Sequence, residues 1–217
     1  MVKQHKKKDL RRKQIIEAAI EVFGNNSFKE ASISEIAQRA KIAEGTIYQY
    51  FKNKEDLFFS IPAEMIEEFW DELDLHLQGI HDSFNKMSKF VWFYLYHFKM
   101  NPAYARSMML EMRVSKNFSK SKTHDKVVWI YERVLEIIKE GQEEGLIRKD
   151  VEGYAIREML MGMLEARLTR WLLKDEKFDL MENYGEICDL IFNGIKSSAA
   201  SNWGSSPQSM KLLNIAN

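Results

Sequence analysis

Hydrophobic positions recur at helical spacing along almost the whole chain, and nowhere do they alternate as they would in a half-buried strand. A first pattern runs from about Asp9 to Gly24, with Ile15, Ile16, Ala19, Ile20 and Phe23 on one face, and "GNNSF" stops it. Ser32 followed three residues later by Glu35 is a capping-box signature, so a second helix starts at Ser32 and turns Ile33, Ile36, Ala37 and Ala40 inward. After "KIA" comes a third short helix in which Ile47 and Phe51, four apart, face the scaffold. Asn53 and Asp56 are placed to cap a fourth, which continues to Ile61-Pro62 or beyond.

Further on, "FNKMSKFVWFYLYHFKM" (Phe84–Met100) is apolar nearly all round, the pattern of a helix enclosed by others. Asn101-Pro102 breaks it, and a sixth helix follows to about Val114. Val127, Ile130, Tyr131, Val134 and Ile138 mark a long amphipathic helix ending near Gly145. Two more are expected from about Val151 to Leu173 and from about Leu180 to Ile195. Residues 197–217 are Ser-rich and read as a mobile tail. The fold class is therefore all-α, with about nine helices.

The third helix is poorly made. Gly45 sits inside it, at a cost of about 1 kcal/mol relative to Ala, beside the β-branched Thr46 and Ile47 and the tyrosines Tyr48 and Tyr50. Two small helices joined by a turn of about three residues and braced by an earlier helix form the helix-turn-helix arrangement. There the second helix enters the major groove by its N-terminal end. Gly45 permits close approach of backbone to DNA, and Thr46, Tyr48, Gln49 and Tyr50 offer donors to phosphates and base edges.

Charge supports this reading. The net charge is zero, yet residues 1–54 carry twelve Lys/Arg against six Asp/Glu, and the remainder is acidic. A basic small part joined to an acidic larger part points to a polyanion partner for the first only. This predicts domains at 1–54, a basic arm with the helix-turn-helix, and at 55–196, a helical body. The arm residues Lys6, Lys7, Lys8, Arg11 and Arg12 argue against a purely protein-binding adaptor. The single cysteine, Cys188, permits no internal disulfide and suits a reducing cytoplasm. No apolar run approaches the roughly 18 residues needed to cross a membrane.

Catalytic signatures are lacking: there is no G-x-S-x-G elbow, no phosphate-cradling glycine loop and no H-E-x-x-H pair. The five histidines do not fall at metal-ligand spacing on a helix, so neither an enzyme nor a metal site is expected. An enzyme acting on acyl-coenzyme A thioesters is disfavoured by the missing acid/base pair.

The stretch "IIEAAIEVFGNNSFKEASISEIAQRAKIAEGTIYQYFKNKEDLF" resembles the DNA-binding domain of the TetR family of bacterial transcription regulators over about residues 10–58. The resemblance implies operator contacts from Ser32, Ala43, Glu44, Gly45, Thr46, Tyr48, Gln49, Tyr50 and Lys54, with Tyr50 and Lys54 on phosphates and Gln49 on a base. It also implies a ligand cavity in the larger domain and dimerisation through the last two helices, from Trp171, Leu172, Tyr184, Ile187, Cys188 and Ile191. The expected partners are a double-stranded palindromic operator, a second copy of the chain and a small hydrophobic effector. No cofactor is implied.

A less specific likeness lies in "MLEMRVSKNF", "EGLIRKDV" and "RWLLKDEKFDLMENYGEICDLIFNGI", which are similar to the subset of the family that represses fatty-acid degradation and is released by long-chain acyl-coenzyme A. It implies apolar walls, for which Phe93, Tyr94, Phe98, Met109, Met159 and Met163 are candidates. Cations for the coenzyme head would be Arg106 and Arg113, seven apart and so near one helical face, though both also suit surface pairing with Glu111 and other acidic neighbours. The rival effector is a cationic or hydrophobic drug, as for a repressor of an efflux system, and it would need buried carboxylates such as Glu111 and Glu165.

Overall fold

The computed structural model describes residues 2–198, and for residues 2–6 and 122 the backbone alone. The expected tail from residue 199 onward and the side chain of Lys6 lie outside the described residues. Among them the chain forms nine α-helices and no strand: α1 (Val2–Asn25), α2 (Ile33–Arg39), α3 (Glu44–Ile47), α4 (Lys54–Leu77), α5 (Ser83–Met100), α6 (Pro102–Arg106), α7 (Lys122–Glu143), α8 (Gly153–Leu173) and α9 (Tyr184–Ile195). A π-helical turn, Ser107–Met112, and a short 3-10 turn, Phe118–Lys120, lie between α6 and α7. None of these helices is long and apolar enough to cross a membrane.

The chain folds as two compact units that interleave in sequence. The first takes the chain to Glu68 and adds Phe98–Val127; the second takes Phe69–His97 and the chain from Val128. The boundary expected at residue 54 falls at the start of α4 instead of at a unit border. The first unit therefore contains the helix-turn-helix, the first half of α4, and α6 with its π-turn.

Each unit has its own apolar interior. In the first, Ile15, Ile16, Ala19 and Phe23 of α1 are buried, as are Ile36, Ile47, Phe51, Leu57 and Phe58. Phe23, Phe28 and Phe58 form a ring cluster with centroids 4.8–5.9 Å apart. In the second, Phe69 stands 5.0 Å from Phe93 and 5.2 Å from the ring of the buried His97, while Phe84 packs on Phe192 at 5.2 Å.

Several elements depart from their expected bounds. α4 does not end at Pro62 but runs to Leu77. An interior proline removes one helical hydrogen bond and costs about 3 kcal/mol. Here the buried stripe Ile61, Met65, Ile66, Phe69, Trp70 and Leu73 lies on both sides of the break and overrides it. The sixth helix is α-helical only to Arg106.

Local chemistry closes the second unit at its chain end. Arg148 N–H donates to Ile195 C=O at 2.9 Å and Ser197 N–H to Leu146 C=O at 2.8 Å, a short antiparallel bridge centred on Ile147 and Lys196.

Candidate functional site

The reading head is hung from a capping box. Ser32 Oγ accepts from the Glu35 amide at 3.2 Å and the Ser32 amide donates to the Glu35 carboxylate at 2.7 Å, fixing the start of α2. Donation of the Ser32 hydroxyl to the same carboxylate, and then that amide bond, hold the Glu35 acid below its usual range. Ser32 is thus engaged as a cap, and its hydroxyl serves α2. Lys41, with φ of +52°, turns the chain between α2 and α3.

α3 itself is four residues long and buries only Ile47. The turns continue through Gln49, Tyr50 and Phe51, whose amides reach back to Thr46 and Ile47 carbonyls at 2.9–3.2 Å, and Phe51 supplies a second buried anchor. Between those anchors the outward face carries Ala43, Glu44, Gly45, Tyr48 and Gln49, all exposed, with Thr46 and Tyr50 partly so. A Cβ built on Gly45 meets nothing within 4 Å, so its lack of a side chain answers no need inside the protomer. The face is polar, shallow and open to a partner.

Two basic residues of the expected interface are occupied. Lys54 Nζ donates to the carbonyls of Phe28 at 2.7 Å and Ala31 at 2.9 Å and lies 4.6 Å from the centre of the Phe28 ring. This corrects its expected role on phosphate: the ammonium ties the first turn of α4 to the loop entering α2. Arg12 pairs with Glu64 and sits 5.3 Å from the Phe51 ring, which takes it out of the free basic arm. Lys7 and Lys8 remain exposed on α1.

The segment after α5 is fastened to the same head. Arg106 Nε donates to Gly24 C=O at 3.0 Å, and the Glu111 carboxylate accepts the Phe28 amide at 2.7 Å. Asn117 donates to Glu55 at 2.8 Å, and Phe118 packs on Phe59 at 5.4 Å. Gly24 is what allows α6 so near: a Cβ there lies 2.4 Å from Ala103 Cβ and 2.6 Å from its Cα. Sequence reasoning missed Gly24, which looked like a stop signal only. It also missed the joint use of Arg106 and Glu111, because residues five apart do not share an α-helical face.

The expected ligand residues are placed unevenly. Phe93 and Tyr94 are buried in the second unit, and Phe98, stacked on Tyr104 at 5.6 Å, and Met109 are buried in the first. Burial pushes the Tyr104 hydroxyl above its usual range. Met163 is half-buried, while Met159 is 46% exposed on the outside of α8, which corrects its expected place on a cavity wall. Arg106 is held at Gly24, away from the role of a coenzyme cation, and the π-turn between Arg106 and Arg113 abolishes the shared face that a seven-residue α-helical spacing implied. Arg113 is exposed, with Nη1 3.7 Å from Met109 Sδ. The carboxylates considered for a cationic drug are engaged as well: Glu111 by Phe28, and Glu165 by the Tyr131 hydroxyl.

The expected dimer stripe needs a larger correction. Trp171, Leu172, Tyr184, Cys188 and Ile191 are all buried within the protomer and Ile187 is half-buried. Tyr184 hydroxyl donates to Ser88 C=O at 2.9 Å and stands 2.6 Å from Ser88 Oγ, an internal tie between α9 and α5. Burial pushes the Cys188 thiol up to about 11, so it packs as an inert small hydrophobe. The apolar periodicity of α9 belongs to the protomer core. What α8 and α9 leave open is a different stripe: Ala155, Met159, Gly162, Ala166 and Leu173 on α8, with Leu190 and Gly194 on α9. Leu173 is 69% and Leu190 75% exposed, and beyond the backbone of its own helix neither Gly162 nor Gly194 has an atom within 4 Å of where a Cβ would stand.

Known proteins resemble both the helix-turn-helix and the helical remainder of the chain. Residues 15–61 match the bacterial regulatory proteins of the tetR family, and residues 63–194 match the C-terminal region of YsiA-like proteins. The fatty acid metabolism regulator protein of Bacillus subtilis is 30% identical over 84% of this chain and 94% of its own. Two solved structures are similar: the fatty acid degradation regulator FadR of Bacillus halodurans (29% identity, TM-score 0.80, 85% of this chain and 95% of that one) and FadR of Bacillus subtilis in complex with stearoyl-CoA (27% identity, TM-score 0.79, 84% and 98%). These relatives are transcription regulators and not enzymes. With its helix-turn-helix and its helical body both matched, the chain belongs to the TetR family of bacterial DNA-binding transcription regulators.

Proposed function

We propose that the chain is a homodimeric repressor that leaves its operator when a long-chain acyl-coenzyme A binds. The observation that carries the effector class is the likeness to the Bacillus subtilis regulator whose structure holds stearoyl-CoA, which extends over 84% of this chain. Phe93 and Tyr94, buried within the second unit, are candidates for the apolar walls an acyl chain requires. Arg113, exposed, is a candidate cation for the coenzyme phosphates. On the head, Gly45, Thr46, Tyr48, Gln49 and Tyr50 contact the operator, with Ala43 and Glu44 at its edge.

The dimer is built on the open stripe of α8 and α9. Glycine inside an exposed helix costs about 1 kcal/mol relative to alanine, and Gly162 and Gly194 return nothing to the protomer for that cost. A second helix lying close against them accounts for both. Two heads then address half-sites about 34 Å, or a multiple, apart.

The test is operator release titrated with acyl-coenzyme A thioesters of increasing chain length, the free acids, and a cationic dye. Each buried methylene contributes about 0.8 kcal/mol, so potency climbs with length until the cavity is full. Arg113→Ala weakens the thioesters much more than the free acids. Release by the dye and by no thioester would overturn the proposal.

A further inference from the structure

Arg106 and Glu111 stand five residues apart, yet both end on one stretch of backbone, the last turn of α1 and the loop that follows it. Arg106 Nε reaches Gly24 C=O at 3.0 Å and the Glu111 carboxylate reaches the Phe28 amide at 2.7 Å. In an α-helix five residues turn the side chain about 140° away from the first. One of the two contacts would then be lost. The i→i+5 bonding of a π-helix brings residues five apart back to nearly one face, and Ser107–Met112 is such a turn. The π-turn is therefore what lets one short segment grip the head at two points.

Phe28 is where the grip matters. Its amide is held by Glu111, its carbonyl by Lys54 of α4, and its ring by Phe23 of α1 and Phe58 of α4. Three residues later Ala31, whose carbonyl is also bound by Lys54, leads into the Ser32 cap of α2. Moving Phe28 moves the point from which α2 and α3 are suspended. π-turns are less stable than α-helix, so this one needs contacts that an α register lacks.

We infer that Glu111 is a positioning residue for operator binding: through the π-turn its carboxylate fixes the Phe28 amide and so the pose of the reading head, and a change of Ser107–Met112 to α-helical register withdraws it. The inference rests on the reading of this chain as a ligand-released DNA-binding protein. It supplies that release with a discrete two-state element, whose equilibrium both ligand and operator can bias.

Two variants of the full-length protein test it. Glu111→Ala removes the acceptor; Glu111→Gln keeps an amide oxygen for the Phe28 N–H and removes only the charge. Two quantities are read: hydrogen exchange at the Phe28 amide in the free protein, and the ratio of operator affinities without and with saturating stearoyl-coenzyme A. Glu111→Ala is expected to speed exchange at Phe28 roughly tenfold or more, the loss of one charge-assisted bond, with exchange at Ile15 and Ile16 unchanged. It also brings the affinity ratio close to one, while Glu111→Gln stays within about threefold of wild type on both. Wild-type exchange and ratio in Glu111→Ala would overturn the inference, and so would a Glu111→Gln variant as impaired as Glu111→Ala. If stearoyl-coenzyme A leaves the wild-type complex intact, the effector reading fails alone. Phe28 exchange and unliganded operator affinity in Glu111→Ala then decide the positioning role, with a loss in both supporting it and wild-type values overturning it.

Discussion

Two of the faces left open among the described residues are made on opposite plans. The outer face of α3 is polar and short, held by Ile47 and Phe51 from beneath, with Tyr48 51% exposed. The outer face of α8 and α9 is apolar and long, with Met159, Leu173 and Leu190 in the open. Both contain glycine with empty space around it, Gly45 on one and Gly162 and Gly194 on the other. In the proposed function both serve close approach, by a polyanion at the first and by another apolar helix at the second. Glycine marks nearness in either case, and the chemistry of the neighbouring side chains says to what.

The comparison is broken most forcefully on the apolar side. Leu190→Glu places an unpaired charge in the proposed interface, which costs about 3–5 kcal/mol when buried. Sedimentation is expected to show a folded monomer, and operator affinity to fall at least about a hundredfold. A variant that remains dimeric would reassign the α8–α9 face. Next in size is Gly24→Ala, because its Cβ meets the backbone of Ala103 and cannot be accommodated by a side-chain rotation. Overpacking of this kind costs about 1–3 kcal/mol, read as a lower urea midpoint.

The polar side is sharpened by two smaller changes with opposite signatures. Lys54→Ala orphans the Phe28 and Ala31 carbonyls and is expected to lower stability by about 1–2 kcal/mol while leaving the salt slope of operator binding unchanged. A slope reduced by about one would return Lys54 to the phosphate backbone. Tyr48→Ala does the reverse: operator affinity falls about tenfold, and unfolding moves by no more than about 0.5 kcal/mol. The smallest effect is chemical. Cys188 is 1% exposed with its thiol pushed up to about 11, the buried thiolate being disfavoured, so alkylation near neutral pH is negligible until urea unfolds the protein. Prompt labelling of the native protein would show that α9 does not pack as described.

Much of this was legible in the sequence. Ser32 and Glu35 announce α2 because a capping box is a local arrangement, complete within four residues. Gly45 and its flanking hydroxyls announce the head for a similar reason. The departures came where a residue's partner is distant in sequence. Lys54 is basic and beside the recognition element, but its acceptors, Phe28 and Ala31, lie 26 and 23 residues earlier. Tyr184 and Cys188 form a stripe of correct period, and periodicity gives a face without saying whether the protomer or a second copy covers it. The π-turn has no signature at all. Unbroken α-helix was the natural reading of Arg106 to Arg113, and the extra residue per turn shows only in the backbone bonding.

The short bridge at the end of α9 has a consequence in chain entropy. By joining Leu146–Arg148 to Ile195–Ser197 it ties a loop of about fifty residues into a ring without a covalent bond, with Ser197 Oγ bound to Gly145 C=O across a separation of 52 positions. Bringing the ends of so long a flexible segment together costs about 3.5 kcal/mol, roughly (3/2)RT ln n. That ordering is completed when the protomer folds, before anything else arrives. Whatever lies down on Gly162 and Leu190 therefore meets two helices whose far ends are already joined, and its binding is not taxed with assembling them.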